Sequence, residues 1–389
     1  MLLALLLLFA APPNFSQQFR AGLTALSENN LVLARQKLEA ASRLQPRNPE
    51  VWVALAQTYR RMKSNQLAEA SAIKAEQFLG QNAVAMHALA IYYSQSDNFD
   101  KAANFESRYA TINDAALADA AVLWFKAGKP KSAIEYAKRA VAREDRGDMH
   151  ALLAESYEAD GQFENAQVEY QRALEKSPYE ETYYFELSQS YLRHQQFSAA
   201  VELLERGVKT FDRSAQLRLA LGVAYYGERR FSDATVAFLK TILIDPKVEQ
   251  PYVFLGRMLD QTGEHIPDVV QRLEAWATAN PGDARAQFTF AKALIVSGGD
   301  QDRAEGLLRN SIAISSNHWE SHYELGVLLE KQRKFPEAAA ELERSVAIDG
   351  KQADAHYHLA RVYDRLGATE KAAQQRNIHQ QLTASAGIK

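Results

Sequence analysis

Between Glu181 and Ser214 the chain reads ETYYFELSQSYLRHQQFSAAVELLERGVKTFDRS, and its apolar positions follow the 3.6-residue helical period twice over. Tyr184, Leu187 and Tyr191, with the small Ser188 among them, make one helical face. Phe197, Ala200, Val201 and Leu204 make another, and the polar stretch Arg193 to Gln196 separates the two. The pattern predicts two helices joined by a short turn. In other copies that turn carries a glycine, Gly128, Gly161, Gly263 or Gly367, as expected where a helix ends in a left-handed residue. Pro130, Pro267 and Pro336 stand just after the turn and Pro251 at a first-helix start, where a missing amide is tolerated. Pro46, Pro178, Pro246 and Pro281 punctuate the other end, where the second helix stops.

The copies keep a register. Alanine recurs at Ala34, Ala68, Ala102, Ala133, Ala166, Ala200, Ala234, Ala304, Ala338 and Ala372, and Val269 stands where a single wide gap should be filled. A second ladder of small residues runs about twelve residues ahead through Gly22, Ala56, Ala90, Ala121, Ala154, Ser188, Gly222, Gly256, Ala291, Gly326 and Ala360. The two ladders stretch and shrink together, which marks a solenoid of one unit stacked on copies of itself. Small residues recur where the helices of a pair cross closely, because a larger side chain there would push the axes apart. Aromatics are expected to fill the spaces between layers. Tyr59, Tyr93, Trp124, Tyr157, Tyr191, Tyr225 and Tyr363 recur at one site and Phe99, Phe163, Phe197, Phe231 and Phe335 at another, and both series read as core.

With these residues on the page, the chain resembles the tetratricopeptide repeat family. Trp52, Leu55, Ala56, Tyr59, Ala68 and Ala75 carry its signature, and Leu221, Gly222, Tyr225, Phe231, Ala234, Phe238 and Pro246 carry it again. The resemblance implies an all-α fold, a right-handed superhelical solenoid of about eleven helix-turn-helix repeats. Residues 15–386 are expected to form one continuous array closed by a polar C-terminal helix, TEKAAQQRNIHQQL from Thr369, in which Gln375, Arg376 and His379 replace apolar positions. Three local departures are expected to alter the superhelix pitch. Tyr109 sits where the third unit should have a small residue, that unit is three residues short, and the units beginning near Glu249 and Ala284 carry one extra residue each.

Composition narrows the function classes. Forty-five Lys and Arg against 48 Asp and Glu give a net charge of −3, with both signs scattered, so nucleic acid is not expected as a partner. Cysteine is absent, which excludes disulfides, thiolate catalysis and cysteine metal sites. Residues 1–14 open with MLLALLLLFAA, an uncharged apolar run too short to span a bilayer, followed by Pro12 and Pro13. It fits the apolar region of a signal peptide, without a preceding basic residue or a clear cleavage site; the other reading is an apolar cap on the first repeat. The expected location is therefore periplasmic or secreted, with membrane contact only through this segment if it is uncleaved.

Candidate chemistry is sparse. His318, Glu320 and His322 in HWESH place two histidines four apart, a spacing that could reach one metal. Their order matches neither H-E-x-x-H nor H-x-x-E-H, His318 falls in the inter-repeat turn and His322 at a core position, so no metal site is assigned. His356 and His358 fall on different helical faces. GKPKS at Gly128 to Ser132 follows a helix rather than a strand and reads as the intra-repeat turn. No enzyme activity, cofactor or small-molecule substrate is expected.

What remains is the groove that first helices line in this family. Carried over position by position, the resemblance implies Arg60, Arg61, Ile91, Gln95, Phe125, Lys126, Phe185, Gln189, Tyr226, Phe254, Arg257, Phe288, Lys292, Tyr323, Tyr357 and Arg361 as partner-binding positions. Aromatics and arginines of this kind are over-represented at binding hot spots. The Lys and Asn clamp of chaperone-binding relatives and the Asn ladder of glycosyltransferase arrays are both missing. The expected function is a non-enzymatic, exported scaffold that holds a peptide or partner protein. The alternative is a regulatory or substrate-docking subunit of an enzyme complex, with a transferase or hydrolase on a separate chain.

Overall fold

The structure, a computed structural model, describes residues 14–386, so the expected N-terminal segment 1–14, apart from Asn14, lies outside the described residues. Among them are 22 α-helices, three short 3-10 turns and no strand. The helices form eleven pairs. The chain divides into two compact units, Met1–Tyr183 and Tyr184–Lys389, with the boundary in the first turn of the sixth pair. In the first unit the pairs are Phe15–Ser27 with Leu31–Leu44, Pro49–Arg61 with Asn65–Gln77, Ala83–Ser94 with Phe99–Ala110, Leu117–Lys126 with Pro130–Arg143, and Gly147–Ala159 with Phe163–Lys176. The sixth pair, Glu181–Arg193 with Phe197–Thr210, begins at the boundary. The second unit continues with Ala215–Gly227 and Phe231–Ile244, Gln250–Arg257 and Ile266–Ala279, Ala284–Val296 and Gln301–Ile314, Trp319–Lys331 and Phe335–Ile348, and Ala353–Arg365 and Thr369–Ala386.

One left-handed residue closes the first helix of each pair. Asn29, Lys63, Asp97, Gly128, Gly161, Gln195, Arg229, Gly263, Gly298, Arg333 and Gly367 all have φ between +55° and +76°. In every pair but the eighth the next amide then reaches back five residues, as in Ser64 N to Tyr59 O at 2.8 Å and Arg230 N to Tyr225 O at 2.9 Å, which satisfies a carbonyl the helix leaves open. The sequence pattern expects glycine here, yet six of the eleven are not glycine. Each of those accepts the steric cost of a left-handed L-residue, about 1–2 kcal/mol.

The small-residue ladder meets large side chains of the second helix. A Cβ added to Gly22 would lie 2.6 Å from Leu38 Cγ, one on Gly222 2.5 Å from Phe238 Cε1, and one on Gly326 2.6 Å from Leu342 Cγ. Leu38, Phe238 and Leu342 are fully buried. Successive pairs are then tied by tyrosines of the expected aromatic series. Tyr59 donates to Glu39 Oε1 of the preceding pair at 2.7 Å, Tyr225 to Glu205 at 2.7 Å, and Tyr93 and Tyr363 likewise to Glu76 and Glu343. The phenylalanine series is less buried than expected. These residues open the second helices, Phe99, Phe197, Phe231 and Phe335 are half-buried, and Phe163 is 36% exposed.

The eighth pair departs most. Its first helix stops at Arg257 and the chain continues in two 3-10 turns, Leu259–Gln261 and Gly263–His265. The consecutive Met258 and Leu259 are buried there, as Leu328 and Leu329 are at the same positions of an unbroken helix. Gly256, expected to face its own second helix, instead lies against the following first helix, where an added Cβ would come 2.5 Å from Thr289 Cγ2. In the last helix Ala372 is the fully buried residue. Its polar replacements bond backwards as well as meeting water: His356 Nδ1 and Gln375 Oε1 are 2.6 Å apart, and His379 Nδ1 lies 3.0 Å from Ala353 O.

Two measurements check this packing. Gly222→Ala is expected to cost about 1–3 kcal/mol by overpacking against Phe238. Gly306→Ala, inside a helix with nothing within 4 Å, is expected to gain roughly 0.5–1 kcal/mol. Denaturant melts decide, and equal effects would refute the crossing. The Tyr59 hydroxyl is pushed up to about 12, first by burial and then by its bond to Glu39. A raised folded-state value means that its stabilising contribution is complete below about pH 10 and is lost as pH rises toward 12. Tyr59→Phe should therefore lose stability at neutral pH and show a shallower fall of the thermal midpoint across that window than the parent.

Candidate functional groove

First helices carry their core contacts on one side and leave the other to the groove positions, and each unit has a cleft there. In the second unit Phe185, Gln189, Leu192 and Arg193 of one first helix face Gln216, Leu219, Ala220 and Val223 of the next around about 530 Å³. The floor is apolar and the rim is amide and guanidinium. Two of the expected groove residues, Phe185 and Gln189, are thus brought together.

Further along this unit the expected residues meet packing partners. Tyr226 sits edge-on to Phe231 at 5.7 Å and to Phe254 at 5.3 Å, and Phe254 stacks on the buried Phe238 at 5.0 Å. Phe288 is half-buried edge-on to His318 at 5.0 Å. Tyr323 lies 5.9 Å from the His358 ring, and burial pushes its hydroxyl up to about 12. Phe288 and Tyr323, both expected as partner-binding positions, are thus packed against by the following pair. Tyr357 is 45% exposed, with Arg361 over its ring at 5.6 Å, and Arg257 is exposed at the end of the shortened helix. Lys292 lies 4.0 Å from Glu324, whose carboxyl is raised by burial against the pull of that lysine. Arg361 lies 3.2 Å from Glu330, which His358 Nδ1 approaches at 2.6 Å.

In the first unit a cleft of about 340 Å³ opens between the third and fourth pairs, lined by His87, Ala90, Ile91, Ser94, Gln95, Glu106, Asp119, Val122, Leu123 and Lys126. Ile91, Gln95 and Lys126 were expected there; His87, Glu106 and Asp119 were not. Glu106 is 1% exposed, both its oxygens within 3.1 Å of His87 Nδ1. Burial pushes its carboxyl above the ordinary range, while the His87 hydrogen bond pulls it down. The sequence did hold a signal, since Glu106 follows Ala90 by the same sixteen residues that separate Gly22 from Leu38 and Gly222 from Phe238. Arg60 donates to Gln95 at the edge of this region and lies over the Tyr92 ring at 5.5 Å. Arg61 turns away to the Leu26 carbonyl at 2.9 Å, and Phe125 is half-buried outside the cleft lining.

The histidines of HWESH have other work. His318 caps its helix, accepting from Ser321 N at 3.3 Å, and both ring nitrogens of the buried His322 are engaged, Nδ1 with Glu341 at 2.6 Å and Nε2 with Ser316 O at 3.2 Å. Among the described residues no group of three or more His, Cys, Asp or Glu is placed to hold a metal, and no helix is long and apolar enough to cross a membrane.

Comparison with known proteins bears on the repeat itself. No curated protein matches the chain. Similar solved structures include the Cut9–Hcn1 hetero-tetramer of the APC/C, at 13% identity over 96% of this chain and 94% of that one with TM-score 0.43. Yeast Tom70 is similar at 14% identity over 95% and 92% with TM-score 0.39. The C-terminal part of a TPR repeat-containing protein from Cytophaga hutchinsonii is similar at 15% identity over 69% and 98% with TM-score 0.46. The tetratricopeptide repeat model matches residues 116–181, 185–248, 296–353 and 323–376, together more than half of the chain. With eleven helix pairs in one register behind those matches, the chain belongs to the tetratricopeptide repeat family, whose arrays are protein–protein interaction scaffolds.

Proposed function

We propose that the groove faces of the first helices bind an extended peptide segment of a partner protein, and that the chain works outside the cytoplasm. The observation that carries the binding half is the second-unit cleft, in which Phe185, Leu192, Leu219 and Val223 make an apolar floor ringed by Gln189 and Gln216. An extended peptide presents alternating side chains and an unpaired backbone, so it needs apolar depressions for the first and side-chain amides for the second. About 530 Å³ is ample for a large side chain and falls within the ~300–1,000 Å³ typical of ligand pockets. The first-unit cleft offers a second depression with a different lining. Export is supported by the uncharged apolar run Met1 to Ala11.

Short random peptides selected on the full chain provide the binding test. Phe185→Ala or Ile91→Ala, according to the cleft a selected peptide occupies, is expected to weaken binding by about 1–3 kcal/mol. The thermal midpoint should move little for Ile91, which is 39% exposed. Selected peptides that bind the double variant as tightly as the parent would overturn the reading. For export, residues 1–20 fused to a reporter active only outside the cytoplasm should give signal, and a silent reporter would place the array in the cytosol.

A further inference from the structure

Four histidines on first helices pair with a residue nineteen positions later on the second helix of the same pair. His150 Nδ1 lies 2.6 Å from Glu169, His322 Nδ1 2.6 Å from Glu341, and His356 Nδ1 2.6 Å from Gln375. All three histidines are buried, and each precedes its small ladder residue, Ala154, Gly326 or Ala360, by four. There the pairing is an internal tie between two helices.

His87 and Glu106 make the same tie one residue out of step. His87 precedes Ala90 by three, the register of Phe185 and Tyr357, and its side chain is 41% exposed. Glu106 follows Ala90 by sixteen, the register in which Leu38, Leu204, Phe238 and Leu342 are buried. The shift turns His87 toward the groove side and puts Glu106 in the crossing register, where it lines the floor of the first-unit cleft. Tyr109, the large residue at a small-residue position, packs its ring 4.9 Å from that of His87 and supports it there. A carboxylate in an apolar core register is expensive to desolvate and is not required by the repeat.

The rest of the cleft fits one kind of occupant. Ala90, Ile91, Val122 and Leu123 make apolar walls, and the Asp119 carboxylate adds a second negative charge. Lys126 lines the same cleft but lies with its ammonium 5.8 Å from the Phe99 ring. Apolar walls over a buried carboxylate match a side chain with an aliphatic stem and a cationic head. We propose that this cleft receives a basic side chain, Lys or Arg, of a bound peptide, its stem along Ile91, Val122 and Leu123 and its cation at Glu106 with Asp119 beside it. The inference rests on the peptide-binding reading and assigns the first-unit cleft its specificity.

The experiment uses the full chain and a pool of short random peptides, in parent, Ile91→Ala, Glu106→Gln and Asp119→Asn forms. Peptides whose binding is lost in Ile91→Ala are those in this cleft, and they are expected to share a Lys or Arg. Replacing that residue by norleucine should weaken binding to the parent about tenfold and leave binding to Glu106→Gln unchanged. Asp119→Asn, at an exposed position, should reduce the preference in part and keeps the test intact if Glu106→Gln melts early. Three results overturn the proposal and leave the groove reading standing: no selected peptide is sensitive to Ile91→Ala, the sensitive ones lack a basic residue, or they bind both carboxylate variants as tightly as the parent. Failure to select any peptide overturns the groove reading itself.

Discussion

Everything in this chain depends on the close crossing of two helices at a residue too small to hold them apart. Gly22, Gly222 and Gly326 leave no room for a Cβ against Leu38, Phe238 and Leu342, so the large side chain of one helix occupies the space the other gives up. The exchange fixes the rotation of both helices about their axes. Once that rotation is fixed, Tyr59 and Tyr225 necessarily reach the preceding pair, and the opposite positions of the first helix necessarily face away from the core. The groove is therefore a by-product of the crossing. No residue has to be spent on making it.

A stack of this kind distributes its stability over neighbours, because each pair touches chiefly the next. Repetition makes each tie cheap to lose singly, and this explains why the turn can tolerate Lys63, Gln195, Arg229 and Arg333 at left-handed φ where glycine would be easier. It also explains the eighth pair. Breaking the first helix after Arg257 forfeits helical hydrogen bonds while Met258 and Leu259 stay buried, and the loss is confined to one layer.

How much of this was legible in the sequence follows from what a period can report. The ladders gave the number of pairs and the faces of each helix, since every copy states the same intra-pair contact again. They could not state what lies across from a given groove position, because that depends on the next pair. Phe288 and Tyr323 fall on groove positions by register, and His318 and His358, contributed by following segments, pack against them. Phe163 looked like core by analogy and is partly open. Gly256 kept its place in the ladder while its helix ended around it, and a ladder of residue types carries no record of such a break.

The third pair shows the complementary case, in which departure from the period is itself the information. Tyr109 was visible as a misfit from sequence, but its meaning needed the histidine register. His150, His322 and His356 define where a His tie belongs, and only against them does the one-step displacement of His87 and Glu106 stand out. In a stack where Leu38, Leu204, Phe238 and Leu342 serve the same register, a carboxylate carries a desolvation cost that an apolar side chain would not, against which it gains the tie to His87. Its position at the floor of a cleft, facing the side of the helices that the crossing leaves unoccupied, is where a partner's charge could offset that cost.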